Sequence, residues 1–138
     1  MYRTLAFVAA LLVVGTALAE RKSSSGDVDV HYSVFNSSFI QPDIAAAAGL
    51  VRSKTQGVVN VSVLKAGQPT TAQVSGQFKD LMGKETRLSF RQVKEGNAIY
   101  YLAQFPFKTR EILSFTLDVR QGDTPHRITF NQEMFPDD

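Results

Sequence analysis

His31 and His126 are the only imidazoles in this 138-residue chain, and there is no cysteine. A zinc or copper ion bound through this pair would have two nitrogen ligands and no thiolate, short of the three or four protein ligands such ions take. Bringing the pair together would need the first and last strands side by side. The simpler reading puts both histidines on solvated strand faces beside charged neighbours. Met82 and Met134 are too few for a methionine-rich copper surface. No metal and no cofactor is assigned.

Nucleophilic chemistry has as little to build on. Serines are plentiful, yet none stands in a Gly-x-Ser-x-Gly elbow. A triad assembled in space from a serine, a histidine and an aspartate has no signature in sequence. Asp27 and Asp29 share a strand face near the start of the exported region, a position that favours solvation over acid–base work. No glycine-rich phosphate loop occurs. The expectation is a protein without catalytic residues.

The basic residues offer one binding candidate. Arg87 and Arg91 lie four apart in a stretch that reads as one strand, on one face, within reach of Gln73, Gln77 or Lys79 on a neighbour. Arg52 and Lys54 flank the exit of a helix. Together they could hold an anionic headgroup, glycan or carboxylate. Glu85, Glu95 and Glu111 lie close in sequence and favour instead a solvated face of cross-strand pairs.

The least regular stretch runs from His31 to Ile40 (HYSVFNSSFI). Asn36 sits where a strand ends, and its amide can hold a turn through nearby backbone. Phe35 and Phe39 bracket it, which suits a hydrophobic plug at one end of the fold. The alternative is a groove bordered by Phe39, by Ile44 of the following helix, and by Tyr100. Tyr100 and Leu102 fall on the face opposite Ile99 and Tyr101. Uncovered, that face is an apolar patch suited to a partner; covered by the helix, it loses that role.

These residues must be positioned by a sheet protein. Lys22 to Gly26 reads as a mobile serine-rich leader. Val28, Val30, Tyr32 and Val34 then alternate with polar residues as a half-buried strand. Pro42, Asp43 and Gly49 delimit a short helix whose alanines lose no side-chain entropy. Such a helix is marginal alone, so Ile44, Leu50 and Val51 are expected to pin it to a sheet. From Gly57 onward strands follow at short spacing. Val59, Val61 and Val63 mark one inner face, and Ala72, Val74, Gly76 and Phe78 the next. Turns are expected at Gly67–Pro69, Leu81–Lys84, Glu95–Asn97 and Gly122–Pro125. Ile99 to Phe105, and much of Leu113 to Val119, read as apolar on both faces, as central strands do. Ile128, Phe130, Gln132 and Met134 close the pattern. The expected architecture is all-β, an immunoglobulin-like antiparallel sandwich of seven to eight strands with one short helix in an early connection. A lipocalin-like barrel normally needs a longer chain.

The first nineteen residues have the form of a secretory signal. Arg3 starts it, Leu5 to Val14 is apolar, and Ala17-Leu18-Ala19 is a small-x-small cleavage site. Cleavage after Ala19 leaves one domain over 20–138, and the apolar run is too short to serve as a membrane anchor. The chain carries 15 basic and 13 acidic residues. Arg3 leaves with the signal, so 14 against 13 gives the mature protein a formal charge of +1, which argues against nucleic acid as a partner. A cysteine-free exported domain fits a bacterial periplasm better than a disulfide-forming extracellular space. In such a host the glycosylation patterns at Asn36 and Asn60 are idle.

Several segments resemble a family of small exported gamma-proteobacterial proteins known as a domain of unknown function. They are YSVFNSSF from Tyr32, GLVRSK from Gly49, GVVNVSV from Gly57, EGNAIYYL from Glu95 and ITFNQ from Ile128. The resemblance implies a periplasmic sandwich with no established activity, and it marks Asn36, Arg52, Asn60 and Tyr100 as candidates. With the groove residues, the binding candidates are Asn36, Phe39, Ile44, Arg52, Asn60 and Tyr100. The function expected is a non-enzymatic periplasmic accessory or binding protein. Its partner would be a periplasmic protein or small ligand, and homodimerisation through an edge strand is open. The alternatives are a carrier of a small apolar or anionic ligand and an envelope-directed hydrolase.

Overall fold

Two antiparallel sheets pack face to face in the computed structural model, which describes residues 20–136. The signal segment lies outside the described residues. The larger sheet runs in the order β1 (Arg21–Ser25), β2 (Val28–Asn36), β3 (Gln56–Lys65), β8 (Ala98–Pro106), β7 (Arg91–Glu95), with the two-residue β4 (Gln68–Pro69) paired to β3. The smaller runs β10 (Thr124–Met134), β9 (Glu111–Gln121), β5 (Gln73–Lys79), β6 (Glu85–Leu88). The all-β sandwich is as expected, with ten strands among the described residues where seven or eight were expected.

Three differences account for the count. The serine-rich leader is strand β1, in register with β2 from Arg21 opposite Tyr32 to Ser25 opposite Val28. Its pairing comes from backbone groups and the turn at Gly26 (φ +60°), which hydrophobic periodicity does not register. Pro69 belongs to β4 beyond a turn at Ala66–Gly67. The stretch read as one strand with Arg87 and Arg91 on one face is divided: Arg87 pairs with Gln77 in the smaller sheet and Arg91 with Leu102 in the larger. The chain changes sheets at Ser89–Phe90, a corner that sandwiches make by bending a strand. The two arginines therefore do not form the anion site.

Alternation builds the core. Val28, Val30, Val59, Val61, Val63 and Ala103 are all but solvent-free on one sheet, facing Leu113, Phe115, Leu117 and Val119 on the other. Phe105 sits at the centre, its ring 4.9 Å from that of Phe78 and 5.6 Å from that of Phe115. Gly57 makes room for it, since a Cβ there would collide with the Phe105 ring. β8 is central and buried on both faces, but β9 is apolar on one face only. Ser114, Thr116 and Asp118 point outward from it, contrary to the two-sided reading.

Candidate functional site

Outside the larger sheet the chain from Asn36 to Thr55 forms a strap, and its ties explain two of the candidate residues. β2 ends at Asn36, which is buried and donates Nδ2 to the Phe135 carbonyl at 2.7 Å. A 3-10 turn over Ser37–Phe39 follows. Ser37 is wholly buried, and its Oγ accepts from the Ser53 N–H at 2.8 Å and donates to the Ser53 carbonyl at 3.1 Å. Arg52 donates to the Ser38 carbonyl at 3.0 Å. Gln104 on β8 pairs its side-chain amide with both backbone groups of Val51. Asn36 and Arg52 thus hold the strap, and neither lines the groove beside it.

The helix α1 (Pro42–Ala48) lies on the sheet. Pro42 opens it and Asp43 stands in its first turn. Gly49, at φ +69°, closes it: its N–H reaches the Ala46 carbonyl and that of Leu50 the Ala45 carbonyl, a Schellman closure. Arg91 adds its guanidinium to the Ala48 and Gly49 carbonyls at 3.2 and 3.4 Å. Alanines let the helix approach closely: Ala45 and Ala48 are buried with Ile40 against Val58 and Leu102. Ile44 and Leu50 pack at the margin as expected. Val51 does not; it is 60% exposed, because its backbone rather than its side chain is tied to β8.

The helix covers only part of the outer face. Beside it opens an apolar groove of about 260 Å³, whose floor is Asn60, Leu102, Tyr100 and Val93 and whose wall is Phe39, Ile40 and Ile44. Glu95 and Gln41 also border it. Four of the six candidates, Phe39, Ile44, Asn60 and Tyr100, therefore meet in one place. Asn60 lies across from Leu102 on β8 and Ser33 on β2, and it projects from the outer face between them. Its Oδ1 is buried and accepts no hydrogen bond. Such an acceptor is costly in a folded protein, where nearly all buried polar atoms are paired. Val93 and Glu95 were missed as groove residues. The period of two on β7 puts them on one face with Arg91, but only if β7 is known to join the larger sheet.

The histidines do not meet. His31 points outward from β2, with Nδ1 2.9 Å from Glu20 Oε1. His126 belongs to the inner face of β10 in the other sheet and is only 7% exposed, so the solvated-face reading fails for it. Its inward register beside Val119 explains the burial. Among the described residues no group of three or more metal-binding side chains comes together, and no helix is long and apolar enough to cross a membrane.

The family model described as Domain of unknown function (DUF4426) matches residues 22–137. This chain belongs to the DUF4426 family. A crystal structure of a DUF4426 protein from Pseudomonas aeruginosa is 53% identical over 86% of this chain and 97% of that one, with a TM-score of 0.81. FetP from uropathogenic Escherichia coli is 10% identical over 88% and 97%, with a TM-score of 0.63. A copper-bound variant of FetP is 9% identical over 86% and 97%, again at 0.63. At such identities FetP shares the fold with this DUF4426 chain and nothing finer. No curated protein matches the chain.

Proposed function

We propose that this DUF4426 protein is a non-enzymatic binding module of the bacterial periplasm that takes a small ligand in the groove beside α1. The observation that carries the reading is the unpaired, buried Asn60 Oδ1 in the floor of a largely apolar groove. Ligand sites commonly combine an apolar lining with a few convergent polar atoms that orient the guest. The side chains bordering this groove supply two amides, a phenol and a carboxylate, with no nucleophile–base pair among them. The export signal read in residues 1–19 supports the compartment. The copper named for FetP does not transfer, because His31 leaves the outer face of the larger sheet while His126 faces the core from the smaller, so the two do not meet.

The test is native mass spectrometry on mature protein purified from its own periplasm, beside an Ile44→Trp variant that fills the groove. A retained small mass in the parent that is absent from the variant is expected. A mass retained equally by both would move the site elsewhere, and no retained mass together with no ligand-induced spectral change would end the proposal.

A further inference from the structure

Resting on that binding reading, we infer that the groove selects a short apolar molecule carrying a cationic amino head, an alkylammonium or arylalkylammonium. Three features point the same way. First, the orphaned atom in the floor, Asn60 Oδ1, is an acceptor, so it calls for an N–H or O–H donor from the guest. Second, the one charged side chain bordering the groove is Glu95, which makes no ion pair among the described residues. Neighbouring cations are engaged or turned away. Arg91 is held by the Ala48 and Gly49 carbonyls and Arg52 by the Ser38 carbonyl, while Lys94 alternates to the other face of β7. A carboxylate guest would face Glu95 with no compensating cation; an ammonium would gain a charge-assisted hydrogen bond.

Third, the size suits a small molecule rather than a protein. About 260 Å³ is below the roughly 300–1,000 Å³ common for drug-sized ligands. A stable protein interface covers about 800 Å² on each partner. Of the exposed large hydrophobic side chains, only Phe39 borders the groove. The guest therefore has room for one short chain or ring and one head.

The experiment is an amide-resolved NMR titration of the mature protein with hexylammonium, hexanol and hexanoate, repeated on Glu95→Gln and Ile44→Trp, with a protein-concentration series as reference. Hexylammonium is expected to shift the Asn60 side-chain amide and the Val93, Tyr100 and Leu102 backbone, at least about tenfold more tightly than hexanoate. Glu95→Gln, an exposed and structurally mild change, is expected to lower hexylammonium to the level of hexanol. Ile44→Trp is expected to abolish all three responses. Hexanoate binding as tightly as hexylammonium, or no effect of Glu95→Gln, would overturn the cationic head and leave the groove reading standing. Silence with every probe would overturn both. Shifts at these residues on protein concentration alone would make the occupant a second copy of the chain and overturn the assignment.

Discussion

Asn60 sets stability against binding within a single side chain. An acceptor buried without a donor costs about 1–3 kcal/mol relative to one that is paired or solvated. Asn60→Leu keeps a similar volume, removes the orphan and extends the apolar floor. It is expected to raise the unfolding free energy by about 1–2 kcal/mol in urea titration and to remove ammonium binding. A loss of stability would mean that the native amide already has a partner in solution. His126 carries the same deficit, with a buried Nε2 that finds no partner, but it stands beside the charged Asp118–Arg127 pair rather than in an apolar groove. That contrast is why Asn60 is the better ligand contact. Asn60 was marked from the sequence by family resemblance. Its lack of a partner depends on what β2 and β8 place around it, and no sequence period encodes that.

At the scale of elements, the strap determines the groove, and Ser37 is its keystone. Its hydroxyl stands in for a neighbouring strand by bonding both backbone groups of Ser53. Ser37→Ala would leave two part-buried backbone groups of Ser53 unpaired, at a cost of about 1–3 kcal/mol. Hydrogen exchange is expected to accelerate across residues 37–54 in that variant while β9 stays protected; uniform acceleration would show that strap and sandwich open together. Gly49→Ala tests the other end. Alanine at φ +69° is strained, and its Cβ meets the Arg91 guanidinium, so a loss of about 1–2 kcal/mol is expected in thermal or urea unfolding. A neutral result would mean that the helix end can unwind without cost. The helix was legible in the sequence because Pro42, Asp43 and Gly49 act locally. β1 was not, because five residues rich in serine gain order from pairing rather than from an apolar face. The ties of the strap were equally hidden, since Asn36, Ser37, Arg52 and Gln104 each bond residues 14 or more positions away.

Across the whole molecule, a sandwich must guard four sheet edges, and each is guarded differently here. β6 has four residues, β1 and β7 have five, and β7 is lined with Arg91, Lys94 and Glu95. Short or charged edges resist pairing with another chain. β10 is the exposed hazard, an eleven-residue edge beside β9. Pro125 removes one donor from it. Asn36 occupies the Phe135 carbonyl just past its end. Arg21 crosses from β1 to occupy the Asn131 carbonyl at 3.2 Å, with its guanidinium 4.9 Å from the centre of the Phe130 ring. Arg21 directly precedes the stretch that reads as a loose leader, so this protection was invisible before the sheet order was known. The mature protein is expected to be monomeric in light scattering after size exclusion, and Arg21→Ala to associate as concentration rises. Thr129 shares the alternation of Asn131 and Pro125, so its N–H also faces the open edge. Adding Thr129→Pro to Arg21→Ala removes that donor and is expected to restore the monomer. Association that survives the added proline would place the contact on another surface, and an Arg21→Ala protein that stays monomeric would show that Pro125 and the short neighbouring strand suffice to close the edge.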